Sequence, residues 1–148
     1  MGDYAIKAQF ETATEPAEVK RWLDSPEGIA GWWSDTVEGA AGAVGDIFHV
    51  TFPTTPVVFD LEVTDISDEA VEWHVPKSPP WWEGTTIRFE LSASEGGGTQ
   101  LLFTHGGFDG DDPIVQAITP AWVRFLDNLL AVAESRQPSP AVVNEAAG

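Results

Sequence analysis

The feature that most constrains this chain is a series of strand-like segments that follow one another with no helix between them. Turn residues separate the segments, for example at 67–68 and 96–98, and strands joined by short turns pair antiparallel. With an alternating first segment over residues 4–11, they predict one antiparallel sheet of six or seven strands. The central segments cover approximately residues 46–52, 57–66, 70–75, 84–94 and 99–104.

Alternation of side chains within these segments predicts which face of the sheet is covered. Ile87, Phe89 and Leu91 are apolar, whereas the intervening Arg88 and Glu90 are charged. Because successive side chains of a strand point to opposite faces, one face should be in water and the other should be covered by an apolar element.

A long helix near the end of the chain is the expected cover. Thr119 and Pro120 have the residue types of a helix N-cap and first position, and a shorter helical piece can precede them from Pro113. Two short helices are predicted after the first strand, over about residues 15–25 and 26–33. The apolar stripe of the long helix consists of Ile118, Trp122, Phe125, Leu126, Leu129 and Ala133.

The length of 148 residues fits one domain with a core of its own. Apolar periodicity ends at Gln137, and Pro, Ser, Ala and Gly dominate the residues that follow. We therefore predict a single domain over residues 1–136 and a flexible tail over residues 137–148.

The charge balance and the residue types exclude several classes of function. With 24 Asp and Glu against seven Lys and Arg, the net charge is −17, and such a field repels nucleic acids and anionic membrane surfaces. The chain has no Cys, and its three His show no ligand spacing, so neither a metal nor another cofactor is expected. No apolar run approaches the length of a membrane span and the start lacks a signal-peptide pattern, so we expect a cytoplasmic protein.

Several short stretches, taken in order, resemble those of a known family. The stretches are residues 27–33, 45–46, 71–73, 84–91, 98–99, 103–108 and 122–130. On these stretches the chain is similar to the START-type (SRPBCC) superfamily, in the branch that resembles the C-terminal domain of activators of the heat-shock chaperone ATPase. This resemblance implies an α+β helix-grip fold, in which a curved antiparallel sheet of six or seven strands surrounds a long C-terminal helix, with two short helices after the first strand.

Proteins of that superfamily commonly hold an apolar ligand, such as a lipid, sterol or polyketide, between the sheet and the long helix. Large side chains on these facing surfaces can equally well fill a core. His105 shares the parity of Phe103, so it is expected to point inward, either as a polar anchor of the cavity or as a satisfied core histidine. The candidate ligand-binding residues are Trp33, Phe59, Leu61, Trp73, Trp82, Ile87, Phe89, Phe103, His105, Trp122, Phe125 and Leu129.

Residues 79–82, with the sequence Pro-Pro-Trp-Trp, are predicted to be either a lid over this cavity or a loop packed on the edge of the sheet. The leading functional hypothesis is noncatalytic binding of an apolar small molecule. The alternatives are an enzyme similar to polyketide cyclases or dehydratases, in which His105 and a carboxylate move protons, and a co-chaperone-like domain that binds a chaperone or another protein. Serine hydrolysis is excluded because the chain has no Gly-x-Ser-x-Gly sequence.

Overall fold

One antiparallel sheet forms the centre of the molecule in the computed structural model, which describes residues 2, 4–53, 57–110 and 112–143. Within these residues its seven strands are β1 (Tyr4–Thr12), β2 (Val37–Gly39), β3 (Ile47–Val50), β4 (Phe59–Ile66), β5 (Ala70–His74), β6 (Thr86–Ala93) and β7 (Thr99–Phe108). Their order across the sheet is β1-β7-β6-β5-β4-β3-β2. Strands β2 to β7 therefore form a meander, and β1 pairs with the outer side of β7.

The predicted sheet is confirmed, with differences at two strands. The seventh strand is the short β2, which pairs with β3 at one edge in a stretch that the sequence analysis did not assign to the sheet. Strand β7 continues to Phe108 and not only to Thr104, because its whole length pairs with β1. This extension brings His105 into the sheet.

Two short helices follow β1, as predicted: α1 (Pro16–Lys20) and α2 (Pro26–Ala30). The first ends earlier than expected because tighter backbone bonds replace the helical pattern, from Trp22 N–H to Val19 O at 3.1 Å and from Leu23 N–H to Lys20 O at 2.8 Å. This turn buries Leu23 completely. Ser25 caps α2 by accepting a bond from Gly28 N–H at 3.0 Å.

The long C-terminal helix is α3 (Pro113–Ser135), a single element. The prediction that it begins at Thr119 is wrong: Asp112 is the N-cap, and its carboxylate accepts a bond from Val115 N–H at 3.0 Å. Thr119 lies inside the helix and donates its hydroxyl to Val115 O at 2.7 Å. Pro120 is also internal, because tertiary packing on both sides of it outweighs the lost hydrogen bond. None of the helices in the described residues combines the length and apolar character needed to cross a membrane.

Helix α3 lies against the covered face of the sheet, which is where the alternation predicted the core. Ile87, Phe89 and Leu91 of β6 are at most 3% exposed, and Leu126 and Leu129 of α3 are completely buried. At the far end of the helix, Thr12 of β1 donates its hydroxyl to Glu134 at 2.6 Å. The side chains that the two surfaces share therefore form the core.

The segment after α3 is hydrogen-bonded to the chain that follows α2. Ser139 and Val142 donate their backbone N–H groups to Gly31 O at 2.7 Å and to Trp33 O at 2.9 Å. Asn128 of α3 bridges the same two segments, donating to Trp32 O and Ser139 O at 2.8 Å each. The described part of the predicted tail is held by these bonds, and residues 144–148 lie outside the described residues.

The N-cap of α3 provides a test of this helix. Replacing Asp112 with Ala removes the acceptor for Val115 N–H, so we expect the free energy of unfolding to fall by about 1 kcal/mol. Denaturant unfolding of the two proteins measures this difference. Asp127→Ala, at an exposed position of the same helix, is the matched control and should change stability by less than about 0.5 kcal/mol. An equal effect of the two substitutions would contradict the assigned cap.

Candidate functional site

An apolar hollow of about 280 Å³ lies between α3 and the turn at Pro80–Trp82. Seven of its nine described lining residues are aromatic, and none of the nine is charged. Its volume is close to the lower end of the range usual for small-ligand sites, about 300–1,000 Å³. The lining residues are Trp33, Phe52, Phe59, Trp81, Trp82, Ile118, Ala121, Trp122 and Phe125, and we refer to this site as the aromatic hollow.

Helix α3 contributes one wall of the aromatic hollow. Ile118, Ala121, Trp122 and Phe125 line it, and their spacing of three and four residues places them on one face of the helix. Ile118 and Phe125 remain half-buried, although they belong to the predicted apolar stripe. They are half-buried because at this end of the helix the neighbouring surface is the hollow and not packed core.

The Pro-Pro-Trp-Trp segment forms the opposite wall. Trp82 is buried, whereas Trp81 is 39% exposed, and both line the hollow. The segment is tied to the sheet at both ends, since Ser78 donates its hydroxyl to Val58 O at 2.6 Å and Gly84 donates its N–H to Val75 O at 2.8 Å. It therefore covers one side of the hollow as an anchored turn.

Aromatic rings fill the middle of the interface between the sheet and α3. Trp33 stacks on Trp73 with ring centroids 6.2 Å apart, and Trp73 meets Phe89 edge to face at 4.9 Å. Phe103 then contacts Trp122 of α3 at 4.7 Å. The aromatic hollow therefore lies at one end of this packed interface, beside the Pro80–Trp82 turn.

The twelve sequence-predicted site residues fall into two groups. Five of them line the aromatic hollow: Trp33, Phe59, Trp82, Trp122 and Phe125. The other seven are completely buried in the packed core and are not among its lining residues: Leu61, Trp73, Ile87, Phe89, Phe103, His105 and Leu129. Strand parity correctly predicted that the strand residues of both groups are buried, but it carries no information about which part of the covered face is packed.

Four lining residues were absent from the predicted set. Trp81 belongs to the segment predicted as lid or packed loop, and Ile118 belongs to the predicted helix stripe, so both had a signal in the sequence. Ala121 lies one residue before Trp122 on α3, and its small side chain gave no indication of a site. Phe52 follows β3 and reaches the hollow because its ring packs against Phe59 at 4.8 Å.

His105 lies behind the walls of the hollow and holds two of them in place. Trp122 donates its indole N–H to His105 Nδ1 at 3.0 Å, so the ring hydrogen is on Nε2, which donates to the Thr85 hydroxyl at 2.9 Å. Thr85 in turn donates to Trp82 O at 2.6 Å. One imidazole thus links β7 to α3 and to the Pro80–Trp82 turn.

A glycine allows β7 to lie close to Thr85 and Gly84. Gly107 has a φ of +104°, and a Cβ atom at this position would lie 3.2 Å from Thr85 Cα and 3.3 Å from Gly84 O. Any larger residue would be strained in that conformation and would push Thr85 away from His105. The His105-Gly106-Gly107 sequence therefore serves packing at the end of β7.

The electrostatic environment keeps His105 neutral. It is completely buried, and burial lowers its pKa to about 3. Its described hydrogen-bond partners are a hydroxyl and an indole, with no carboxylate among them. Because both ring nitrogens are already engaged, the geometry gives His105 a positioning role and does not present it to a ligand.

Three buried indole N–H groups, those of Trp33, Trp73 and Trp82, have no hydrogen-bond partner within the described part of the chain. Two of these Trp residues line the aromatic hollow. None of the described lining residues of the hollow is acidic. Among the residues that the structure describes, no group of three or more His, Asp or Glu side chains could hold a metal ion.

The buried His105 predicts a pH dependence of stability. The unfolded chain takes up a proton at this residue as pH falls through about 6.5, but the low pKa of about 3 prevents this in the folded protein. As pH decreases below about 6.5, His105 should therefore lower the free energy of unfolding by up to about 1.4 kcal/mol per pH unit. Between pH 7 and pH 5, wild type should lose about 2 kcal/mol more than His105→Gln in denaturant unfolding.

The imidazole resonances of His105 in the wild-type protein provide a second measurement, which does not depend on folding of the variant. They should be unchanged between pH 7 and pH 5 in an NMR titration, because the folded-state pKa lies near 3. A protonation shift in that interval would contradict the buried, neutral assignment.

Comparisons with known proteins confirm the predicted relationship. The chain is similar to the Aha1 dimer from Colwellia psychrerythraea, with 26% identity and a TM-score of 0.79 over 88% of this chain and 96% of that one. A Mesorhizobium loti protein of 20% identity has the same fold, with a TM-score of 0.74 over 89% of this chain and 98% of that one. DynU16, a protein in the dynemicin biosynthetic locus, is 18% identical with a TM-score of 0.76 over 95% of this chain and 51% of its own.

None of the curated proteins compared with the chain matches it significantly. A scan of protein families matches residues 3–134 to the family described as activator of Hsp90 ATPase homolog 1-like protein. That match covers all seven strands completely, and it continues to within one residue of the end of α3. The chain therefore belongs to this family, a branch of the SRPBCC proteins with the helix-grip fold.

Proposed function

We propose that this protein is a noncatalytic binding module for an apolar small molecule, which it holds in the aromatic hollow. The observation that carries the proposal is a hollow of about 280 Å³ in which every described lining residue is aromatic or aliphatic. Transfer of apolar ligand surface from water into such a site is favourable by roughly 25 cal/mol per Å². The family fold, which commonly binds hydrophobic ligands, supports the same function.

The lining also indicates the size and shape of the ligand. Flat rings such as Trp33, Trp122 and Phe125 favour stacking or edge contacts with another ring. A volume of about 280 Å³ suits a molecule of two or three fused rings, or part of a longer chain whose remainder lies outside. A sterol or long-chain lipid would therefore be enclosed only in part.

A cyclase-like enzyme receives less support from the geometry. Proton transfer at carbon requires a base within hydrogen-bond reach of the substrate. His105 was the candidate base, but it is not a lining residue and its two nitrogens contact Trp122 and Thr85. The described lining of the aromatic hollow contains neither an acidic nor a basic side chain.

Binding to a chaperone is the second candidate function, and the family relationship is the observation that favours it. The net charge of −17 would complement a basic surface on such a partner. Calorimetric titration with a purified Hsp90-type ATPase tests this candidate. We expect binding at low salt and loss of binding at high salt. No binding at low salt would remove it without affecting the ligand-binding proposal.

Filling the hollow should abolish ligand binding without unfolding the protein. Ala121 is a half-buried lining residue, so Ala121→Phe places a phenyl ring in the hollow. We expect at least a tenfold loss of affinity, because the added ring excludes the ligand from the site. The affinity is measured by titration of Trp fluorescence and by thermal shift. The probes are dodecanoic acid, cholesterol and the anthraquinone emodin.

Ala117→Phe is the matched control, because Ala117 is an exposed residue of α3 that does not line the hollow. It should bind the same probes as wild type. The proposed function would be wrong if no probe changed either the fluorescence or the melting temperature of the wild-type protein. Equal binding by Ala121→Phe and wild type would show that the aromatic hollow is not the site.

A further inference from the structure

A second hollow, of about 650 Å³, adjoins the aromatic hollow. The two share Phe52 and Phe125, so they lie on either side of these two rings. We refer to it as the side hollow. Its lining residues are Phe52, Pro53, Arg124, Phe125, Asn128, Ala141 and Val142.

Arg124 is the only charged residue among the described lining residues of the two hollows. It makes no ion pair with any described residue, although the chain has 24 acidic residues against seven Lys and Arg. Asp127 is three positions away on the same helix, a spacing at which Arg and Asp can pair. Arg124, whose side chain is exposed, instead lines the side hollow.

The other polar group of the side hollow is already engaged. Asn128 donates its side-chain amide to Trp32 O and to Ser139 O, both at 2.8 Å. Arg124 therefore supplies the available hydrogen-bond donors next to Phe125, which belongs to both hollows. A guanidinium presents parallel N–H groups that match the two oxygens of a carboxylate.

We propose that the ligand is a small organic acid, with its apolar body in the aromatic hollow and its carboxylate on Arg124 in the side hollow. This inference rests on the proposed function, and it adds the chemical class of the ligand. The absence of acidic residues from the described lining of both hollows favours an anionic group there, even though the molecule as a whole is strongly negative.

The experiment compares acids with their uncharged esters. The ligands are naphthaleneacetic acid, naphthalenebutanoic acid and the methyl ester of each. The two acids differ in the distance between the ring and the carboxylate. Isothermal titration calorimetry measures their binding to wild type, Arg124→Gln and Lys7→Gln. Lys7 is the matched control, because it is exposed on β1 and lines neither hollow. Wild type should bind at least one acid about tenfold more tightly than its ester.

Arg124→Gln should remove this preference. It should weaken binding of the acid about tenfold and leave binding of the ester unchanged. Lys7→Gln should behave as wild type. If acid and ester bind wild type equally, or if Arg124→Gln weakens both alike, the assignment of a carboxylate to Arg124 is wrong and the proposed apolar site stands. If neither acid nor ester binds wild type, the proposed function fails for aromatic ligands, and this inference fails with it.

Discussion

The placement of the long helix on the sheet depends on the buried His105. This residue joins β7 to α3 through the Trp122 indole, and it reaches the Pro80–Trp82 turn through the Thr85 hydroxyl. Loss of either partner would leave a buried polar group unsatisfied, at a cost of about 1–3 kcal/mol. Because Trp82 and Trp122 are also walls of the aromatic hollow, the same polar link determines the shape of the candidate site. His105 thus positions two lining residues of the site without lining it.

The hollow exists because aromatic packing is complete in the middle of the interface and incomplete at one end. Trp33, Trp73, Phe89 and Phe103 contact one another across the middle and leave no room for a guest. Near the Pro80–Trp82 turn, the helix presents the small Ala121 between its larger neighbours. Close packing of large flat rings elsewhere is thus compatible with an unfilled space at this position. The family fold provides the framework, and the residues at this end determine the chemistry.

Much of the fold could be predicted from local pattern, and much of the candidate site could not. Alternation in β6 correctly placed Ile87 and Phe89 inside, since the period of a strand determines the face of each side chain. The Thr119-Pro120 signal misplaced the start of α3, because tertiary contacts maintain a helix through an internal proline. Phe52 could not be assigned to a site from its position after β3, since its contact with Phe59 depends on how the segments meet in space.

The sequence by itself determined the meander, the covering helix, the covered face and the excess of negative charge, because these follow from periodicity, turn residues and composition. Only the tertiary structure decided which covered residues surround a space and which fill the core. It also decided that His105 is neutral and engaged, and that Arg124 lines the side hollow and forms no ion pair with any described residue. These properties depend on distances between residues far apart in the chain, and no local pattern encodes such distances.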